Sequence, residues 1–344
     1  MRAAENPRNC FIVMFTGVVV ILEAMSARCV AAENIHENIQ LKMPIDCEIG
    51  RSCVIQNYVD VDSSKDAKDY QCGTLTYDNH NGTDFRLKSL AAQQAGVNIA
   101  AAADGRVIRT RDGVMDISVR GTGKEAVRDR ECGNGVVVAH SGGWETQYCH
   151  MAQGSVTVKP SQSVKAGQKL GQVGLSGLTE YPHLHFTVRY RGEIADPFAY
   201  STSAGACGVG VSLWEPALNG QFAYRPRIVL NAGFTTRAVS MELIEAGEGE
   251  ATPRADDAPA IVAFVRAIGL KAGDAQSLAV RDPAGLVIAE NRARTLDKDV
   301  AQTMVFAGKK VPSDGWTRGA YTATYVIEQN GQVVLEQRLR MELR

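Results

Sequence analysis

The stretch Pro182-His183-Leu184-His185-Phe186 decides how the chain is interpreted. Successive side chains of a β-strand point to opposite faces, so His183 and His185 are predicted to share one face. Leu184 and Phe186 would then point into a hydrophobic core. Two neighbouring imidazoles on one face suit a metal site or an acid–base pair. A His-x-His pair alone is a weak signal, however, since surface placement explains it equally well.

A second group is His80-Asn81-Gly82-Thr83-Asp84. A histidine and a carboxylate four residues apart, with glycine between them, can curl to meet one ion. The same spacing also fits a turn with a capping aspartate. This group therefore indicates a metal site only in combination with other groups.

A third group is Tyr148-Cys149-His150. Alternation predicts that Tyr148 and His150 share a face of a strand and that Cys149 points away, where a disulfide would staple the back of the sheet. A lone histidine in a strand is more often structural than catalytic, so this group too is weak alone.

Together, and in this order, the three groups resemble the lysostaphin-type zinc metallopeptidases, also called LytM-like domains. The resemblance consists of a His-x-x-x-Asp pair, a later Tyr-x-His and the Pro-His-Leu-His-Phe signature. The connecting segment is similar too, with Val164-Lys165-Ala166-Gly167 within it and Asp196-Pro197 at its end. The similarity covers about residues 72–200.

The resemblance implies a peptidase that holds one zinc ion per chain through His80, Asp84 and His185, with His150 and His183 as the catalytic pair. Two imidazoles and one carboxylate suit zinc, and three protein ligands leave a fourth position for water. The implied substrate is bacterial peptidoglycan. We expect cleavage of D,D-crosslinks, because no wall-targeting module for glycine-rich bridges is apparent in the C-terminal part.

The chain departs from the family pattern at Tyr181, where glycine usually precedes the proline, so the shape of that loop is expected to differ. Residues 109–132 form a longer connection than the minimal one and are predicted to add a wall to the cleft. His140 and His36 are interpreted as structural or without a role. The chain has six histidines, at positions 36, 80, 140, 150, 183 and 185, so any histidine-based site belongs to the middle of the chain.

Two other functions stay open at this stage. Some members of the family have lost ligands and activate other wall hydrolases, although all five family positions are filled here. The C-terminal domain could also serve only in binding, to the substrate, to the catalytic domain or to a partner, and fold alone does not choose among these.

A length of 344 residues is more than one core usually fills, so two folded domains are expected. The predicted fold is mainly β: a LytM-like antiparallel β-sheet peptidase domain followed by a C-terminal, immunoglobulin-like β-sandwich. The predicted order is a signal peptide over 1–32, an N-terminal segment over 33–71, the peptidase domain over 72–204, a linker over 205–220 and the sandwich over 221–344.

Local patterns support this division. Within the peptidase domain they predict a helix over Leu87–Ala95 and a hairpin of Val136–His140 and Glu145–His150. In the C-terminal domain about seven short strands, with Asn330-Gly331 as a hairpin turn, are typical of a sandwich. These strands are Arg227–Leu230, Ala238–Glu245, Ala260–Arg266, Ser277–Arg281, Leu286–Glu290, Tyr321–Glu328 and Val333–Leu339.

The first 32 residues resemble an export signal. Cys10 to Leu22 is an apolar run interrupted only by Thr16, and Val30-Ala31-Ala32 is a candidate cleavage site. The run is shorter than the roughly 20 residues that span a bilayer, although an uncleaved anchor is the alternative. We expect an exported protein, periplasmic or secreted, with no stable membrane insertion if the signal is cleaved.

Six cysteines follow this signal: Cys47, Cys53, Cys72, Cys132, Cys149 and Cys207. An even number in an exported chain suggests disulfides. The first two are close enough for a small loop, the fourth and fifth flank the predicted hairpin, and the third and sixth pair by elimination only. No C-x-x-C pair occurs, so a cysteine zinc site is discounted.

The composition is ordinary for a soluble globular protein, with 45% apolar and 22% charged residues. The formal net charge of −1 implies no basic face for a nucleic acid, so no nucleic-acid partner is predicted.

Overall fold

A computed structural model describes residues 38–202, 206–208, 210–248, 255 and 257–344. The predicted signal peptide over 1–32 and His36 lie outside the described residues. The described residues belong to one compact unit, and none of their helices is long and apolar enough to span a bilayer. The chain is mainly β, as predicted.

The first half, residues 38–222, is built on one large antiparallel sheet. Its strands and α-helices are β1 (Cys53–Asn57), β2 (Thr83–Leu87), α1 (Leu90–Gln94), β3 (Asn98–Ala100), β4 (Gly105–Arg111), α2 (Val119–Thr122), β5 (Asn134–Ala139), β6 (Trp144–Met151), β7 (Ser163–Val164), β8 (Lys169–Gln172), β9 (His183–Tyr190) and β10 (Glu193–Ile194). The sheet order is β1-β2-β9-β6-β5-β4-β7, β10 pairs with β9, and β3 and β8 form a separate pair. Short 3₁₀ helices lie at Lys124–Val127, Ser141–Gly143 and Pro216–Leu218.

One face of the large sheet packs against the hydrophobic core. Leu184 and Phe186 are fully buried, as alternation predicted, together with Phe85 and Tyr148. Trp214 packs on the same core, with its ring centre 5.7 Å from that of Phe186. The opposite face of the sheet is thereby left for polar side chains.

Local structure follows the sequence with small shifts. The helix predicted over Leu87–Ala95 begins later, at Leu90, because Leu87 is still part of β2 and the Ser89 side chain caps the helix by accepting from Ala92 N. The predicted hairpin is present as β5 and β6, joined through Ser141–Gly143.

The second half, residues 228–344, contains two antiparallel sheets. Its elements are β11 (Ile228–Thr235), α3 (Met241–Ala246), β12 (Ala260–Leu270), β13 (Asp274–Arg281), β14 (Val287–Arg292), β15 (Val300–Lys310), β16 (Gly319–Gln329) and β17 (Gln332–Leu343). The sheets β11-β12-β15 and β14-β13-β16-β17 share one hydrophobic cluster that includes Ala263, Leu278 and Tyr325. That this half belongs to the immunoglobulin-like class stays a prediction.

Six of the seven strands predicted for this half are confirmed. The strand predicted over Ala238–Glu245 is wrong: the chain forms α3 there, because the Ser240 side chain caps a run of good helix formers by accepting from Leu243 N at 3.3 Å. No strand was predicted at β15, which pairs with β12 along most of its length. Asn330-Gly331 forms the expected turn, with φ of 54° and 78°.

Three disulfides join cysteines in the part of the chain that the structure describes, and their pairing is the one suggested by the sequence. They join Cys47 to Cys53, Cys72 to Cys207 and Cys132 to Cys149. All three lie within the first half, at sequence separations of 6, 17 and 135 residues.

Candidate metal centre and catalytic groove

Three side chains predicted as metal ligands meet on the polar face of the large sheet. Asp84 on β2 pairs directly with His185 on β9, and His80 lies just before β2. His80 Nε2 and His185 Nδ1 lie 3.2 and 2.9 Å from Asp84 Oδ1, and 3.2 Å from each other. The three atoms therefore lie close enough together to share one metal ion.

The outer nitrogens of both imidazoles are held by acceptors. His80 Nδ1 donates to the backbone carbonyl of Tyr58 at 2.6 Å, and His185 Nε2 lies 3.0 Å from Asn81 Oδ1. These partners leave the inner nitrogens with free lone pairs, in the way that outer hydrogen bonds orient metal-bound histidines. The donor set therefore fits a cation such as zinc.

The glycine within this group is required by close packing. A Cβ atom on Gly82 would lie 2.7 Å from His185 Nε2 and 2.8 Å from the Phe186 carbonyl oxygen. Position 82, between His80 and Asp84, thus has to be glycine for His185 to approach the other two candidate ligands.

Asp84 is the electrostatic centre of the site. Asn57 Nδ2 donates to its second oxygen at 2.9 Å. Burial alone would raise the pKa of the Asp84 carboxyl, but the His80 and His183 imidazoles outweigh burial and hold the pKa well below its usual range. Burial likewise opposes charge on His80, yet Asp84 raises the pKa of His80 above its ordinary value. The centre thus favours positive charge.

Within the described residues, two sets of side chains could hold a metal ion. One is His80, Asp84 and His185, and the other is His150, His183 and His185. The first set contains the carboxylate and has its inner atoms within 3.2 Å of one another. We therefore regard the first set as the candidate metal centre.

The alternation predicted around His150 is wrong. In the pairing of β6 with β9, Tyr148 lies opposite Phe186 and Cys149 lies opposite His185, so Cys149 is on the polar face and Tyr148 is in the core. His150 has a φ of 60°, in the left-handed region that few residues other than glycine adopt. This conformation breaks the alternation and turns the imidazole towards the polar face, so the disulfide lies beside the site rather than behind the sheet.

His150 and His183 stand next to the metal centre as a pair, with ring centres 4.6 Å apart. His150 Nδ1 donates to the Ser176 carbonyl at 2.8 Å, and His183 Nδ1 donates to the Tyr181 carbonyl at 3.0 Å. Burial, followed by the neighbouring imidazoles, lowers the pKa of His150 well below its ordinary value. A neutral His150 can accept a proton near neutral pH.

A groove runs across the site in two arms. The first arm, of about 550 Å³, opens on the His183 side, and the second arm, of about 360 Å³, opens on the His185 side. Tyr77, His150 and Leu178 line both arms. A chain bound along the groove would therefore pass directly over the candidate metal centre.

The segment 109–132 contributes to both walls, as predicted, with Val119 and Lys124 in the first arm and Glu131 in the second. His140 is structural, as interpreted: its ring nitrogens face the Asp104 carbonyl and the Thr146 hydroxyl, each at 2.8 Å.

Several residues of the site carried no signal in the sequence. Asn57 and Tyr58 belong to a strand end that has no motif, and their contacts with Asp84 and His80 appear only when β1 pairs with β2. The first arm is also lined from the second half of the molecule, by Gly269, Leu270, Asp299, Val300 and Ala301.

Comparisons with known proteins concern the part of the chain that carries this site. Residues 78–197 match the family model described as Peptidase family M23. Similar proteins include the cell division protein DipM of Caulobacter vibrioides, 36% identical over 33% of this chain and 17% of that protein. Peptidoglycan DD-endopeptidase ShyB of Vibrio cholerae is 32% identical over 34% of this chain and 22% of that protein. Murein hydrolase activator NlpD of Escherichia coli is 31% identical over 32% of this chain and 24% of that protein.

The chain spans about a fifth of the length of these curated relatives. The similarity therefore concerns the sheet that holds the site and leaves the second half of the molecule outside the comparison.

Proposed function

We propose, from the match of residues 78–197 to the model of peptidase family M23, that the protein is a zinc-dependent endopeptidase that hydrolyses peptide crosslinks of bacterial peptidoglycan. The observation that carries the proposal is the convergence of His80 Nε2, Asp84 Oδ1 and His185 Nδ1 within 3.2 Å of one another. The pair His150 and His183 stands directly beside them.

In this proposal His80, Asp84 and His185 hold one zinc ion per chain. When bound, zinc supplies a water of lowered pKa and polarises the scissile carbonyl. Asn57 and the Tyr58 carbonyl keep the ligand side chains oriented through their hydrogen bonds.

His150 and His183 serve as the catalytic pair. His150 is neutral because of its burial, and its Nδ1 is engaged by Ser176, so Nε2 is the atom that accepts a proton. His183 has its Nδ1 engaged by Tyr181 and presents Nε2 at 3.4 Å from Asp84 Oδ1. His183 is thereby placed to stabilise the negative charge that develops on the carbonyl oxygen.

We assign the D,D-crosslink as the bond cleaved and the cell envelope, reached by export, as the location. The name of one relative, a peptidoglycan DD-endopeptidase, supports the choice of bond. The three disulfides suit an oxidising compartment such as the periplasm or the exterior.

The test is digestion of isolated sacculi by the purified, zinc-loaded protein, followed by mass spectrometry of the released fragments. We expect about one zinc per chain and a new free D-alanine carboxyl end at each cut. Sacculi of several crosslink chemistries left uncut by zinc-loaded protein would contradict the enzymatic proposal.

A second candidate function is activation of another wall hydrolase, favoured by the similarity to a murein hydrolase activator. The same assay separates the two. An activator would leave sacculi intact by itself and speed their digestion by a second hydrolase. The filled set His80, Asp84 and His185 with its converging lone pairs supports the enzyme.

A further inference from the structure

Three charged side chains join the two halves of the molecule: Arg86 on β2 and Arg266 on β12, which are buried, and Glu245 on α3, which is partly buried. They are here called the charge cluster. Glu245 Oε2 accepts from Arg86 Nη2 at 3.0 Å and also from Arg266 Nη1. The side chains of Arg86 and Arg266 are only 2% and 1% exposed. The proposed hydrolysis assigns none of the three a role.

Two cations and one anion leave a net positive charge, and neighbouring amide oxygens accept hydrogen bonds from both guanidinium groups. Arg86 Nη1 donates to the side-chain oxygens of Gln56, from the first half, and Gln302, from the second. Arg266 Nε donates to Asn231 Oδ1 at 2.8 Å. Buried charges without such partners cost several kcal/mol, so both halves together fix the position of Arg86.

Arg86 reaches the catalytic pair through Tyr181. Its guanidinium carbon lies 3.9 Å from the centre of the Tyr181 ring, a cation–π contact. The Tyr181 ring centre lies 5.1 Å from that of His183, and the Tyr181 carbonyl accepts from His183 Nδ1 at 3.0 Å. Arg86 and His183 are also direct partners in the pairing of β2 with β9. A displaced Arg86 would therefore displace the His183 imidazole.

Tyr181 is also the position at which the resemblance to the family implies a glycine. A glycine there would offer the Arg86 guanidinium no ring to lie against. Tyr181 and the charge cluster thus belong to one arrangement. In it the loop before His183 packs against Arg86, and the second half fixes the position of Arg86.

The second half also forms the outer wall of the first arm of the groove. Leu270 from β12, and Val300 and Ala301 from β15, line this arm. Asp299 Oδ2 accepts from Thr74 Oγ1 at 2.6 Å, which ties the wall to the loop that leads to the metal centre. A peptide in this arm would touch both halves of the molecule.

We propose that the second half forms part of the peptidase site and is not a separately tethered binding module. Through the charge cluster the second half fixes Arg86, and Arg86 and Tyr181 act as positioning residues for His183. In addition, β15 lines the first arm of the groove. The proposal rests on the proposed function for its kinetic consequences. Its structural content, that the second half orders the loop 178–183, stands apart from any activity.

The experiment compares full-length variants of the zinc-loaded protein on a crosslinked muropeptide. Arg86→Lys and Arg266→Lys keep the charge and lose the planar fork. Tyr181→Leu loses the ring, and Tyr181→Phe keeps it. The matched control is Arg338→Gln, which removes an exposed arginine paired with Glu336 on β17.

We expect kcat to fall about tenfold or more in Arg86→Lys, Arg266→Lys and Tyr181→Leu, since small misplacements of a catalytic group are costly. Zinc content and KM stay near the wild-type values in Arg86→Lys and Arg266→Lys, and Arg338→Gln retains full kcat. Tyr181→Phe, which keeps the ring but loses the hydroxyl that accepts from Gln56 Nε2, should retain more kcat than Tyr181→Leu. The double variant Arg86→Lys/Tyr181→Leu should be no slower than the worse single variant, because both changes break one path. Folded Arg266→Lys with full kcat would overturn the proposal.

A second measurement keeps the two proposals distinguishable. Hydrogen exchange in the metal-free protein should rise within residues 178–183 in Arg266→Lys and stay unchanged there in Arg338→Gln. If the wild type leaves every crosslink uncut, the proposed function fails, and this exchange difference alone decides the positioning proposal. Unchanged exchange in 178–183 would refute it. If Arg266→Lys does not fold, Gln302→Ala, which removes one partner of Arg86, takes its place in both measurements.

Discussion

Two histidines separated by one residue are expected to differ in what they do for the site. His185 contributes Nδ1 to the converging group around Asp84, whereas His183 keeps its Nδ1 on the Tyr181 carbonyl. We predict that His185→Ala loses zinc and activity together, and that His183→Ala retains zinc and loses activity by a factor of at least about 100. Metal analysis after dialysis and the rate of sacculus digestion measure both effects.

Thermal unfolding provides the control for this pair. Zinc that binds the folded state alone raises the melting temperature, so added zinc should stabilise the wild type and His183→Ala, and should leave His185→Ala unaffected. Zinc lost equally from both variants would contradict the assignment of the ligands.

Asp196 predicts a pH dependence of stability. Its side chain is buried, one carboxylate oxygen has no partner among the described residues, and burial raises its pKa to about 7. The unfolded carboxyl ionises near pH 4, so between about pH 4 and 7 the unfolded state loses a proton that the folded state keeps. Stability contributed by this group therefore falls as the pH rises through that window, by up to about 4 kcal/mol.

Asp196→Asn removes this titration and keeps the acceptor for Phe198 N. We predict that the variant is more stable than the wild type at pH 8 and gains little at pH 5, as measured by urea unfolding at both values. The exposed Asp129→Asn is the control and should leave the difference between the two pH values unchanged. A variant that gains equally at pH 5 and 8 would show that charge on Asp196 is not the cause.

The residues that bear the proposed chemistry were predictable from sequence, and the orientation of one of them was not. His80, Asp84, His183 and His185 follow the spacing rules of turns and strands, which are local. His150 reaches the site only because its backbone adopts a φ of 60°. The alternation of side chains along a strand does not predict such a conformation. Residues in sparsely populated backbone regions tend to occur at functional sites, where the surroundings hold them.

At the scale of elements, the disulfide between Cys132 and Cys149 is expected to hold the end of β6. Cys149 directly precedes His150, and His150 N donates to the Cys132 carbonyl at 2.8 Å. We predict that Cys132→Ser/Cys149→Ser loses about 3 kcal/mol of stability, from a loop of this length. It should also lose most of its activity at temperatures where it is folded, because the left-handed conformation of His150 is no longer held.

The disulfide between Cys47 and Cys53 is the matched control. It closes a shorter loop before β1 and does not line either arm of the groove. Cys47→Ser/Cys53→Ser should lose stability and keep the kcat of the folded protein. Equal loss of kcat in both double variants would indicate a general loss of structure rather than the release of His150.

Secondary-structure elements were predicted correctly where one local signal is present, and wrongly where two local signals compete or where pairing with a distant strand decides. The hairpin turn at Asn330-Gly331 needs only two residues with positive φ, and it is present. By contrast, Ala238–Glu245 alternates in a way that favours a strand, yet Ser240 caps a helix there. The strand β15 is defined by its pairing with β12, some forty residues earlier in the chain, which no local pattern reveals.

For the whole molecule, the sequence identified the family and two β-rich parts, and the match of residues 78–197 to peptidase family M23 confirms the resemblance. How the two parts meet could not be predicted. The interface depends on side chains far apart in the chain, such as Val54, Leu230 and Ile268, which form one apolar cluster across it. No motif marks those residues.

This interface predicts that the two halves unfold together. Domains joined by small polar interfaces usually move and unfold separately, whereas here an apolar cluster and the ion pair of Arg86 with Glu245 cross the boundary. The chain has three tryptophans, two in the core of the first half and one in the second: Trp144, Trp214 and Trp316. Each half can therefore be followed separately by fluorescence.

Trp316→Phe leaves only reporters of the first half, and Trp144→Phe/Trp214→Phe leaves only the reporter of the second. For each variant, circular dichroism gives the urea midpoint of the whole backbone, which already includes any loss of stability caused by the substitutions. We predict that the fluorescence midpoint of the same variant coincides with that midpoint in both cases. Adding Arg266→Lys should separate the two transitions, because the charge cluster then no longer ties α3 and β2 to β12. Two distinct midpoints in protein with an intact charge cluster would mean that the halves fold independently and that the second half does not order the site.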